Sequence, residues 1–228
     1  MVIDASLDPQ VYLDVATQHG WQITNVLDTH IHADHLSRSR QLAKRSGAML
    51  FLPAQQRVSF PFTAIYDGET LATLSLHLMA LHTPGHTLES ACYLLDGHVL
   101  FTGDTLFLTS IGRPDLEANE AEAMLRAHAL YQSLHRLLAL PADTLLLPGH
   151  TSAPVPFDGI PLMTTLAEID EQIDLLHAKR SDFLRTVLSR LPAPPPNAGR
   201  IVRINEQGLL PEQPTTELET GANRCAIF

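Results

Sequence analysis

The chain has 228 residues, 45% of them hydrophobic and 18% charged, and a formal net charge of −10. That length and balance suit one folded domain with a closed core and exclude a disordered or fibrous chain. The acidic excess argues against nucleic acid as a partner, which needs a basic face, and against anionic membrane surfaces. Cys92 and Cys225 are the only cysteines, too few for a disulfide framework, so a reducing cytoplasm is the expected compartment. No apolar run reaches membrane-spanning length. The opening Met1-Val-Ile-Asp4 shows no basic n-region and no apolar run of the signal-peptide kind.

Residues 11–19, stopped by Gly20, predict a short helix. Residues 21–27 predict a strand that runs into Asp28-Thr-His-Ile-His-Ala-Asp-His35. A second helix is expected over 35–46, ended by Gly47, and then a strand over 49–53 closed by Pro53. Asp67-Gly68 marks a turn, and 71–81 alternates as one strand. Residues 92–95 and 99–102 predict a hairpin around Asp96-Gly97. Residues 120–140 predict a long amphipathic helix stopped by Pro141, followed by a buried strand over 144–147. Helices are expected over 161–178 and 181–191. Residues 192–199 read as a proline-rich linker, and 200–228 as a tail of little periodicity. Strands and helices mix along the chain, which predicts a single α/β layered domain over 1–228. Within it, 191–228 is expected to be linker and tail packing near the site.

Four places share one design: a strand ends, a turn follows, and the turn presents a metal-ligand side chain. In Thr29-His-Ile-His-Ala-Asp-His35 the period of two in extended chain points His30 and His32 to one side, and the turn brings Asp34 and His35 around. Pro84-Gly85 precedes His86, Gly103 precedes Asp104, and Pro148-Gly149 precedes His150. Glycine before the ligand permits turns that other residues resist, and proline stiffens them. Imidazole with carboxylate suits zinc, iron or manganese. Seven candidates exceed what one ion needs, since catalytic zinc takes three protein ligands and a water. His19, His77, His98, His128, His135 and His177 lack a neighbouring ligand pattern and read as ordinary surface or core histidines. His82 precedes its turn and reads as packing or as support for a ligand.

"HIHADH", "TPGH", "GDT" and "PGH", in this order, resemble the metallo-β-lactamase fold superfamily. The resemblance implies an αββα sandwich with a metal site at one edge between two sheets. Within the superfamily, "SIGRPDL" (110–116) and the tail "GANRCA" (221–226) look like the ETHE1-like persulfide dioxygenases, or sulfur dioxygenases. That likeness implies oxidation of a low-molecular-weight persulfide, such as glutathione persulfide, by dioxygen to sulfite and thiol. It implies one Fe(II) per chain held by His30, His86 and Asp104, with zinc as a substitute in purified protein. His32, Asp34, His35 and His150 then support the first ligands or form a second site, and Asp34 is also counted as a catalytic carboxylate. By the same likeness Arg113 lies at the substrate end, with an ion pair to Asp115 as the alternative. Cys225 lies near the site entrance, with a small buried packing residue as the alternative. A homodimer is implied as well. The family begins with further strands before the segment matching Met1–Asp4, which predicts shortened N-terminal strands with a bare edge here; a misplaced start site explains the difference equally well. The rival reading is a glyoxalase II-type (hydroxyacylglutathione hydrolase-like) thioester hydrolase. There Asp104 bridges two metal ions that activate water and polarise a carbonyl. A non-catalytic binding module is the third reading, and the intact ligand set speaks against it.

Overall fold

A computed structural model describes the chain except for residues 74, 75, 152–154, 157, 212–214, 220–223 and 228. The chain divides into two compact units, Met1–Ile65 with Pro195–Asn223, and Tyr66–Pro194 with Arg224–Phe228. Residues 195–223 thus fall in the first unit and residues 224–228 in the second.

The first unit is built on a four-stranded sheet in the order β1 (Val2–Ile3), β2 (Asn25–Leu27), β3 (Met49–Pro53), β4 (Thr63–Ile65), with every neighbouring pair parallel. Parallel strands are covered on both faces, which is why Asn-Val-Leu and Met-Leu-Phe-Leu-Pro read as nearly continuous apolar runs. Helix α1 (Pro9–Gln18) starts where Asp8 caps the Gln10 N–H at 2.7 Å and Pro9 supplies a preset φ. Helix α2 (Ser39–Ser46) ends on Gly47 at φ +73, with Lys44 and Arg45 in its last turn. Ala5, Ala16, Ile23, Val26 and Leu42 close this core. The strand expected over 21–27 is only three residues long. Gly20 turns the chain at φ +65, and Trp21 stays 65% exposed, stacked on His19. The helix expected from His35 begins four residues later. The N–H groups of Leu36, Ser37 and Arg38 are held by Glu219, Asn205 and the Ala5 carbonyl.

The second unit carries a six-stranded mixed sheet. Its order is β11 (Thr164–Thr165), β10 (Leu145–Pro148), β8 (Val99–Gly103), β7 (Ala91–Leu95), β6 (Leu76–His82), β5 (Thr70–Thr73). β10 runs parallel to β8 and the other pairs are antiparallel. The single strand expected over 71–81 is a pair, β5 and β6; residues 74 and 75 between them lie outside the described residues. A two-stranded ribbon joins β9 (Ile111–Gly112) to β12 (Ala226–Ile227). Helix α3 (Glu120–Leu138) opens on a capping box between Asn119 and Glu122 and buries Ala127, Leu130, Leu134 and Leu137. Helix α5 (Arg180–Ser189) meets it through an edge-on contact of Phe183 and Tyr131. The helix expected over 161–178 is broken into β11, helix α4 (Leu166–Gln172) and a short 3-10 turn (Asp174–His177). Thr165 and Glu168 cap α4 reciprocally, a signal that fixes its start later than expected.

Helix α6 (Ala198–Gln207) lies partly in the stretch 200–228, where the sequence showed little periodicity. Ala198, Ile201, Val202 and Asn205 are buried at helical spacing, and Gly208 caps the end at φ +64. Ile201 and Leu218 pack on Leu36. Beside them, Arg38 grips Glu219 with both terminal nitrogens, one pair at 2.8 Å, while Glu219 accepts the Leu36 N–H at 2.7 Å. Burial works against charge on Glu219, but Arg38 and the Leu36 N–H outweigh it and hold its pKa below the usual glutamate value. A depressed carboxylate pKa adds stability that is present above the unfolded value, near 4.3, and is lost as pH falls through the folded one. Glu219→Gln should therefore lower Tm by roughly a few degrees at pH 7, and by much less at pH 3. Equal differences at both pH values in thermal melts would contradict this.

Candidate metal centre

The first unit supplies Asp28-Thr-His-Ile-His-Ala-Asp-His35 at the end of β2. Thr29, His30 and His32 are buried, and Asp34 and His35 are partly so. The sequence reading missed the residue that organises them, Asp4, which stands just after β1 at φ +52. Asp4 accepts the Thr29 N–H at 2.7 Å and the Thr29 hydroxyl at 2.8 Å. Having given its proton to Asp4, the Thr29 hydroxyl accepts from His30 Nδ1 at 2.9 Å. His30 is thereby left with its lone pair on Nε2. The other Asp4 contact, His32 Nε2 at 3.2 Å, leaves the lone pair of His32 on Nδ1. A carboxylate that fixes the tautomer of an imidazole in this way is the usual support of a metal-ligating histidine. His35 Nδ1 lies 3.2 Å from Asp34 Oδ1, which leaves Nε2 as its outward nitrogen.

His32 Nδ1 and His35 Nε2 are buried and have no hydrogen-bond partner among the described residues. His32, Asp34 and His35 place ligand atoms within 4.8 Å of one another. Buried polar atoms left bare cost free energy, and a dication is the simplest group that satisfies several lone pairs at once. Burial pushes the His32 pKa down, but Asp4, with Asp28 and Asp34, pushes it up to about 10. Asp28 is pushed above the usual carboxylate value by burial, and it accepts hydroxyl protons from Ser37 and Ser39.

The second unit carries three further candidate ligands, His86, Asp104 and His150. His86 Nδ1 donates to the Arg113 carbonyl at 2.8 Å, so its lone pair is on Nε2. That nitrogen lies 3.6 Å from Asp104 Oδ2, and His150 Nε2 lies 3.2 Å from Asp104 Oδ1. His86 and Asp104 are almost fully buried. Each oxygen of Asp104 thus faces a different imidazole. A lone pair facing a carboxylate at 3.6 Å is repulsive unless a proton or cation lies between. The glycines before the ligands act in two ways. Gly85 and Gly103 have positive φ, at +154 and +48. Gly149 does not; a Cβ there would stand 2.7 Å from Asp104 Oδ1, so its hydrogen makes room for the carboxylate.

Arg113 does not have the geometry expected of a substrate anchor. Its guanidinium is fully buried and uses all five N–H groups. Nε and Nη2 hold Asp115 at 2.7 Å each, Nη2 also donates to Pro192 O, and Nη1 donates to Ala193 O and Arg224 O. No donor is left for a ligand, so the Asp115 ion pair that stood as the alternative is the arrangement found. Cys225 is 1% exposed, not open at an entrance, and its carbonyl accepts the Arg113 N–H at 3.0 Å. Its sulfur lies within 4.8 Å of a His150 nitrogen. Gly221, Ala222 and Asn223 of the tail motif lie outside the described residues. His82 is exposed and its Nε2 lies 2.9 Å from the Leu88 carbonyl.

Histidines and carboxylates presented at strand ends, found in each unit taken by itself, are features of a metallo-β-lactamase type fold. The match to the family model for the metallo-beta-lactamase superfamily runs over residues 1–150, and the chain belongs to that superfamily. It is 35% identical over 141 residues to a hydroxyacylglutathione hydrolase of Rhizobium meliloti, covering 60% of this chain and 52% of that protein. A hydroxyacylglutathione hydrolase of Methylobacillus flagellatus is 34% identical over 66% of this chain and 57% of its own length. The chain thus spans about half the length of the curated relatives it matches. Among solved structures, a metallo-beta-lactamase from Staphylococcus aureus subsp. aureus COL superposes with a TM-score of 0.83 at 29% identity, covering 93% of this chain and 66% of that one. ETHE1 from Myxococcus xanthus superposes with a TM-score of 0.75 at 31% identity, covering 90% of this chain and 86% of that one. The named sequence relatives are hydrolases, which moves the weight from the dioxygenase expected first to the hydrolase held as its rival. No helix of the described residues is long and apolar enough to cross a membrane.

Proposed function

We propose that this chain is a metal-dependent hydrolase of a small-thiol thioester, of which a glutathione thioester is the leading case. Its metal centre is a zinc pair held by His30, His32, Asp34, His35, His86, Asp104 and His150. The observation that carries this reading is Asp104, whose two oxygens face two different imidazoles. A carboxylate that serves one ion needs only one such face. The bare nitrogens of His32 and His35 support a second set of ligands, and the names of the sequence relatives support the substrate class. Bound zinc supplies Lewis acidity toward the carbonyl and lowers the pKa of water. Around it, Asp4 and Thr29 hold His30 and His32 in their ligating tautomers, and the Arg113 carbonyl does the same for His86. Asp34 is the loop carboxylate available to take up the proton of the attacking water.

Zinc-loaded chain should hydrolyse a glutathione thioester with saturation kinetics and consume no oxygen. A specific observation favours a second reading, iron-dependent persulfide oxidation: ETHE1 from Myxococcus xanthus matches over most of both chains. Persulfide-dependent oxygen uptake by iron-loaded protein, without thioester hydrolysis, would establish that reading instead.

A further inference from the structure

The loop that carries His30 to His35 is held from outside by two side chains far along the sequence. Asn205 of α6 spends its whole hydrogen-bonding capacity on the loop backbone. Its Nδ2 donates to His32 O and to His35 O, both at 2.9 Å, and its Oδ1 accepts the Ser37 N–H at 2.9 Å. Glu219 takes the next amide, Leu36 N–H, and locks Arg38, which itself donates to Leu36 O. Four of these bonds fall on the backbone of residues 35–37 and one on His32, so they bracket the Ala33-Asp34 turn. Asn205 is 8% exposed and is the one polar member of the buried row on α6. A polar group in an apolar helix face costs stability unless its bonds are made, and here every bond is made to the ligand loop.

We infer that Asn205 is a positioning residue for the metal centre: it fixes the spacing between His32 and His35, and α6 serves as the clamp of the ligand loop. This rests on the metal reading above and deepens it. Alanine leaves two carbonyls and an amide without partners, and aspartate places a charge against those two carbonyls. Neither keeps the loop in its ligating shape. Groups that orient metal ligands typically cost ten- to a hundredfold in affinity when removed.

The test compares wild type, Asn205→Ala and Val202→Ala, a truncation of a buried apolar residue on the same helix. Zinc affinity is measured by competition with a chelator, and amide exchange at Leu36 and Ser37 is measured on the metal-free chain. Asn205→Ala should weaken zinc binding ten- to a hundredfold and speed exchange at Ser37, with residual zinc still saturable. Val202→Ala should lower Tm while leaving zinc affinity within about twofold. Unchanged zinc affinity in Asn205→Ala, or an equal loss in Val202→Ala, overturns the inference. A wild-type chain that binds no zinc overturns the metal reading itself; the exchange rates then decide the clamp, which fails if Ser37 is as protected in Asn205→Ala as in wild type.

Discussion

On the hydrolase reading proposed above, Asp104→Asn should remove the zinc pair and, with it, hydrolysis. The substitution keeps the shape of the side chain and removes the charge that faces both His86 and His150. An amide offers one oxygen where the carboxylate offers two, so at most one of the two imidazoles retains an anionic co-ligand. Two dications held with one fewer negative charge repel each other beside His86 and Asp104, which are almost fully buried. Metal analysis should fall from two equivalents per chain to one or fewer. Thioester hydrolysis should fall by at least about a thousandfold, the equivalent of losing several kcal/mol of metal-supplied charge stabilisation. The metal-free variant should melt cooperatively, because the sheet around β8 does not depend on the charge. A variant that retains two equivalents and measurable turnover would show that Asp104 bridges nothing.

Arg113→Met should unfold more than it inactivates. The guanidinium ties Asp115, residues 192–193 and Arg224 together from one buried point. Methionine fills part of the volume and leaves a carboxylate and three carbonyls unpaired. Removing one member of a buried ion pair costs about 3–5 kcal/mol, which lowers Tm by roughly 10 °C in a chain of this size. Lysine is not a substitute, since one ammonium cannot span Asp115 and three carbonyls in a planar fork. The folded fraction should keep its KM for thioester, because no Arg113 donor faces a ligand. A variant with unchanged Tm and a raised KM would restore the substrate role first expected of Arg113.

The candidate ligand side chains that the structure brings together could be picked out in the sequence because their pattern is local. Histidine and aspartate at strand ends, each with glycine or proline before it, need no knowledge of the rest of the chain. The groups that support those ligands were not legible, because each is joined to its partner by long-range contacts. Asp4 lies 28 positions from His32, and nothing in Val-Ile-Asp marks it as the base that sets a tautomer. Asn205 lies 170 positions from His35 in a stretch read as having little periodicity, although Ala198, Ile201, Val202 and Asn205 do follow helical spacing. An asparagine in that row lowers the apolar signal at the very residue that does the work. Arg113 shows the opposite failure. The residue was found, but a motif gives no account of burial, and burial turned a substrate anchor into a structural tie. Among the elements, the capped α3 and the 91–103 hairpin matched closely. Short parallel strands such as β1 and β4 have no periodicity of their own; their neighbours define them.

The number of metal ions per chain tests the central claim most directly. Chain loaded anaerobically with zinc, freed of excess metal and analysed against protein concentration, should hold two equivalents and hydrolyse a glutathione thioester in proportion to the second. One equivalent that suffices for full activity, or a single iron that supports persulfide-dependent oxygen uptake, would contradict it.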